Sequence, residues 1–161
     1  MKTIDSYPVQ NKTRCALLFT AILAFFTFFI ACGGDDDPPL EGIGISMADI
    51  AGNWSATSAT FNGTNVVDEG GEVTFNIQNN GRFTLTMKRL GMDDMIFTGQ
   101  LGFDEQWLAV EYDTFPGEWE YYDYDLTDGK TKFHIGANSE FDFDDDGVDE
   151  FVIFFLDMVR I

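Results

Sequence analysis

From Ile43 onward, apolar and polar residues take turns along the chain in runs of six to twelve positions. "FTLTM" at 83–87 is the plainest case: every second side chain is apolar, which is the period of a strand with one face in a core. The same pattern predicts strands near 51–61, 71–78, 82–90, 94–102, 106–113, 118–127, 130–137 and 149–160. Turn residues separate them: "NGTN" at 62–65, "NNG" at 79–81, "GMDD" at 91–94, "DE" at 104–105, "PGE" at 116–118 and "DG" at 128–129. Asn-Gly and Asp-Gly supply the positive φ that tight hairpins require. Eight strands joined by short hairpins suit an all-β, up-and-down antiparallel barrel, in which closure removes the sheet edges. A two-sheet β-sandwich is the competing arrangement.

The first residues do not follow this pattern. "MKTIDSYPVQNKTR" carries Lys2, Lys12 and Arg14, and Cys15 to Ala31 carries no charge. A basic flank, an apolar stretch and a small residue at its end read as a secretory signal over residues 1–31. A transmembrane anchor is the alternative, since about 17 apolar residues approach the length that spans a bilayer. Phe29-Ile30-Ala31-Cys32 resembles the lipobox of bacterial lipoproteins. That resemblance implies cleavage before Cys32, diacylglycerol on its sulfur and an acyl chain such as palmitate on the new N-terminus. Each buried methylene is worth about 0.8 kcal/mol, and more than one chain makes membrane attachment stable. Residues 32–42, with "GGDDDPP" at 33–39, read as an acidic tether too polar and too rich in Gly and Pro to fold. Asp35, Asp36 and Asp37 resemble the surface-export signal of Bacteroidota lipoproteins, which implies an outer-membrane protein displayed at the cell surface. A merely solvating linker has the same composition.

A second resemblance lies in the domain at 43–161. Gly52-Asn53-Trp54 opens the first long strand and looks like the G-x-W signature of lipocalins. In that family the tryptophan closes the barrel floor and an arginine of the last strand packs over it, a role the resemblance gives to Arg160. "NNGRFTLTM" and "FVIFFLDMVRI" also resemble small lipocalin-like lipoproteins of Bacteroidota, whereas the Thr-Asp-Tyr signature of animal lipocalins is absent. The family implies a small, apolar ligand held inside the barrel. Gly52, Trp54 and Arg160 carry the fold in this reading, and the barrel interior and rim carry function.

Charge removes several classes of function. Without residues 1–31 the chain keeps six basic and 27 acidic side chains, which repel nucleic acid and anionic headgroups. Cys32 is then the one cysteine, so neither a disulfide nor thiolate chemistry is expected. The single histidine, His134, alternates with Phe133 and Ile135 and is expected on the solvent face. No nucleophile–histidine–acid spacing and no phosphate loop can be found, so the chain does not read as an enzyme. Carboxylates alone leave glycoside hydrolysis open by residue type.

Aromatic residues and one acidic loop remain as candidate chemistry. Phe83, Met87, Phe97, Trp107, Trp119 and Tyr121 are candidates for the lining of a cavity. If Trp119 and Tyr121 instead face outward beside Asp123, they suit a glycan- or protein-recognition surface. In "FDFDDDGVDEF", six carboxylates crowd Asp142 to Glu150. Asp142, Asp144 and Asp146 stand at positions one, three and five, Gly147 at six, the Val148 carbonyl at seven and Glu150 at nine. That is the ligand order of an oxygen-lined Ca2+ loop, and it resembles the "DxDxDG" loops of EF-hands and calcium-binding propeller repeats. Ile153 replaces the bidentate Glu at position twelve. A hairpin clip with a structural ion is expected, with an ion-free acidic turn as the alternative.

Overall fold

Along Arg82–Lys88, Phe83 and Met87 are buried with Leu85 packed beside them, and Thr84 and Thr86 face the other way. That alternation recurs around the whole molecule. The computed structural model describes residues 37–144 and 146–161; the expected signal, Cys32, Asp35 and Asp36 lie outside them. A two-residue hairpin, β1 (Glu41–Gly42) and β2 (Ile45–Ser46), leads into one turn of helix, α1 (Met47–Ile50). The strands that follow are β3 (Gly52–Phe61), β4 (Thr64–Asn65), β5 (Glu72–Ile77), β6 (Arg82–Lys88), β7 (Met95–Asp104), β8 (Trp107–Tyr112), β9 (Trp119–Thr127), β10 (Lys132–Phe141) and β11 (Glu150–Arg160).

Apart from the short β4, each strand pairs antiparallel with the next, and β11 returns to pair with β3. The result is a closed, eight-stranded, up-and-down antiparallel barrel, so the sandwich alternative is excluded. One irregularity helps closure. Asp157 pairs with Ser58 and Met158 with Ala56, leaving Thr57 as a bulge whose hydroxyl donates to the Asp157 carbonyl at 3.1 Å. Bulges bend and twist a strand, which a closing sheet needs.

The eight expected strands coincide with observed ones to within a few residues, with one exception. β10 continues to Phe141, because Asn138, Ser139 and Glu140 pair with Ile153, Val152 and Phe151 of β11. Polar residues had suggested an end near 137, but the apolar partner strand carries the ladder through them. The hairpin and α1 have no counterpart among the expected elements, since one helical turn is too short to show a period.

α1 closes one end of the barrel. Its Met47 and Ile50 are fully buried, and the Asp49 carboxylate accepts from the Ser46 N–H at 2.9 Å. The indole of Trp54 donates to the Ile50 carbonyl at 2.7 Å and packs against Phe133, with ring centres 5.3 Å apart. Arg160 lies over the other side of Trp54, its guanidinium carbon 4.3 Å from the ring centre. It also donates to the carbonyls of Ala51 (2.5 Å) and Asp49 (2.6 Å). Gly52 makes room for this: its φ is +134°, and a Cβ there would stand 2.7 Å from Arg160 Nη1. Lys130, on the loop before β10, pairs with Asp49 from outside.

The chain enters at this closed end. A Cβ on Gly102 would meet Pro38 at 2.6 Å, and the Pro39 carbonyl accepts from the Phe103 N–H at 2.8 Å. Pro38 and Pro39, within the stretch expected to be a tether, therefore pack on the barrel. Above the floor the interior is filled: Phe103, Leu101, Leu108, Leu156, Met158 and Val73 are fully buried. Each such side chain contributes about 1.5–3 kcal/mol through burial. A ring-lined cavity lies at the opposite end.

Candidate functional site

The open end is ringed by the turns 62–71, 89–94, 113–118 and 142–149. The strand tips beneath them turn rings inward. Phe97 meets Tyr112 at 6.0 Å and 62°, and Phe141 at 5.5 Å and 76°. Phe61 stands at 90° to Phe141 and nearly stacks on Phe154. Between them, with Leu85, Met87 and Phe115, is a cavity of about 70 Å³. A second void of about 20 Å³ lies deeper, against Phe75, Phe83 and Leu108. That is room for one water, whereas drug-sized pockets measure about 300–1,000 Å³.

One wall of the mouth cavity is polar. Glu120 and Ser139 reach it from β9 and β10, and the Ser139 hydroxyl donates to Glu120 Oε1 at 3.2 Å. The Tyr122 hydroxyl donates to Glu120 Oε2 at 2.5 Å. A phenol has one proton, so in the 2.8 Å contact between Tyr112 and Tyr122 it is Tyr112 that donates. Burial pushes the Tyr112 hydroxyl up to about 12. Burial raises Tyr122 as well, and the neighbouring Tyr112 and the hydrogen bond to Glu120 add to it. Both phenols therefore stay protonated and hold the carboxylate in place.

The acidic loop borders this mouth. Phe143 turns inward and stacks on Phe61, with centres 5.2 Å apart and planes 21° apart. Arg89 reaches across from the opposite turn, donates to the Phe143 carbonyl and lies 4.8 Å from its ring centre. Asp142, Asp144 and Asp146 do not line the cavity, and each has one carboxylate oxygen within 4.8 Å of the others. Asp142 meanwhile accepts from the N–H groups of Asp146 (3.0 Å) and Gly147 (2.8 Å). Glu150 is not part of that cluster; one of its oxygens accepts from the Phe143 N–H at 2.9 Å. Val148 is exposed, and Asp145 lies outside the described residues.

The candidate lining residues separate into two groups. Met87 and Phe97 line the cavity, and Phe83 lies beneath it, packed edge-on against Phe75 and Tyr112. Trp107, Trp119 and Tyr121 are not in it. They alternate with the buried Leu108 and Tyr122 and so stand on the outer face, where Tyr121 is 51% exposed. Tyr121 instead joins Phe115 and Phe151 along an open groove that also holds Glu118, Glu140, Asp149 and Asn138. Gly52, Trp54 and Arg160 are at the closed end. Glu120, Ser139 and Tyr112 are the site residues that reading the sequence missed. Alternation carried the signal for the first: Glu120 has the parity of Tyr122, so its carboxylate points inward.

No protein-family model matches the sequence, and no curated protein matches it.

Proposed function

We propose that this chain is a lipid-anchored, lipocalin-like lipoprotein of the outer membrane that binds a small, mainly apolar molecule. The observation that supports this reading is the ring-lined cavity at the open end, in a barrel otherwise filled by its own side chains. At about 70 Å³ it takes a few heavy atoms: a small molecule, or one group of a larger one whose remainder leaves through the mouth. The resemblance at Phe29–Cys32 supports the anchor.

Native mass spectrometry of the full chain, released from detergent micelles, tests the binding. Cyclohexanol is expected to bind, and Leu85→Trp, which fills the cavity, is expected to abolish binding. Binding retained in the filled variant would refute a site in the mouth.

The outer groove supports a second reading, glycan recognition. Tyr121, Phe115 and Phe151 offer stacking faces beside carboxylates and the Asn138 amide, the residue types that hold sugar rings. A glycan array blank for the wild-type protein would end that reading.

A further inference from the structure

Four of the surface carboxylates meet a basic side chain. Asp113 pairs with Arg82, Glu72 with Lys88, Asp49 with Lys130 and Asp128 with Lys132. Glu120 is held by neutral hydroxyls only, and among the described residues no Lys or Arg forms an ion pair with it. Those two hydrogen bonds use one lone pair on each oxygen and leave the others open. Glu120 is half-buried and also borders the open groove, so a cation can reach those lone pairs.

The rest of the cavity points the same way. Its ionisable residues are Glu120, Glu140 and Tyr112, and no basic side chain lines it. Arg89, at the rim, gives Nη1 to the Phe143 carbonyl and Nη2 to Met95 Sδ and lies over the Phe143 ring, while its buried Nε has no partner among the described residues. Rings attract cations over their faces, and the steeply inclined Phe97, Tyr112 and Phe141 wall the space from several sides. The chain's formal charge of −19 draws cations toward such a mouth and repels anions. A volume of about 70 Å³ suits a substituted ammonium head and excludes a long chain.

We propose that the mouth cavity seats the ammonium group of a small, otherwise apolar molecule, with Glu120 as its counter-charge and the surrounding rings as its walls. This rests on the mouth-binding reading above and narrows its ligand class from apolar to apolar and cationic.

Calorimetric titration of the full-length chain in a non-ionic detergent tests it with three probes of one shape. These are choline, its neutral carbon isostere 3,3-dimethylbutan-1-ol, and the anion 3,3-dimethylbutanoate. Choline is expected to bind at least about tenfold more tightly than the neutral isostere, the size of a desolvated cation–π contact, and the anion not at all. Glu120→Gln, checked for folding by circular dichroism, is expected to narrow that preference several-fold, through choline alone, with the isostere binding as before. Glu105→Gln, at the closed end, is expected to change nothing. Leu85→Trp, which leaves Glu120 in place, removes binding of both and serves if Glu120→Gln fails to fold. Phosphocholine separates a free amine from a lipid headgroup: its phosphate meets Glu118, Glu140 and Asp149, so it is expected to bind more weakly than choline. Phosphocholine binding more tightly overturns the free-amine assignment. If the isostere matches choline, or Glu120→Gln leaves the preference intact, the ammonium inference falls while the mouth site stands. If none of the probes binds, both fall.

Discussion

Arg160 covers the Trp54 ring and donates to the carbonyls of Ala51, Asp49 and Lys130, all with one side chain. Arg160→Met keeps some of the packing and loses every donor. It is expected to cost about 2–4 kcal/mol in a urea melt, the scale of hydrogen bonds to a charged group. Gly52→Ala attacks the same joint from the other side, through a φ of +134° and the crowding of Nη1. Its expected cost is about 1–3 kcal/mol. At the mouth, the Tyr112 and Tyr122 pair makes stability fall at alkaline pH. Both phenols have folded pKa values raised above the ordinary value of 10, Tyr112 to about 12. Above pH 10 the unfolded chain loses protons that the folded chain keeps, so the contribution is full below 10 and is lost as pH rises toward and beyond 12. Urea melts at pH 8 and pH 11 should show that loss, and Tyr112→Phe should reduce it.

For single elements, the acidic hairpin gives the sharpest expectation. Three carboxylate oxygens lie within reach of one ion, and like charges at 4 Å cost about 1 kcal/mol per pair even in water. We propose that Ca2+ clips this turn, and millimolar calcium is then expected to raise the melting temperature in differential scanning fluorimetry. Asp144→Ala with Asp146→Ala should erase the rise, and a wild-type protein indifferent to calcium would reduce the loop to a solvated turn. The strands were legible because alternation and Asn-Gly or Asp-Gly turns are local signals. α1 and its hairpin were not, because they exist only by packing under a barrel that must form first. Trp119 and Tyr121 suggested a cavity by residue type, yet parity sends them outward. Glu120 had the inward parity all along, but an acid between two aromatics reads as surface until the wall it faces is known. The ligand set of the acidic loop was legible in part: Asp142, Asp144 and Asp146 gather, whereas Glu150 bonds to the backbone of its own hairpin.

Taken whole, the molecule combines a filled barrel, a strong negative charge and, in the reading proposed here, a lipid anchor. The anchor depends on a single atom, the Cys32 sulfur, outside the described residues. Cys32→Ser is expected to abolish labelling by radioactive palmitate and to leave an uncleaved precursor on gels. Labelling that persists would refute lipidation at this residue.

Ring closure also sets an order of events. The bonds from Arg160 to the floor join residues 111 positions apart, while the other ladders of the barrel join near neighbours in the sequence. Bringing such distant segments together costs about 4 kcal/mol of chain entropy before any contact repays it. Hairpins from β3 to β10 can form as soon as they are made, but the other edge of β3 waits for β11. Until the eleven residues of β11 arrive, the nascent sheet has two open edges, each a template for another chain. A chain cut short at residue 149 would keep those edges, and the expected outcome is aggregation rather than a smaller barrel.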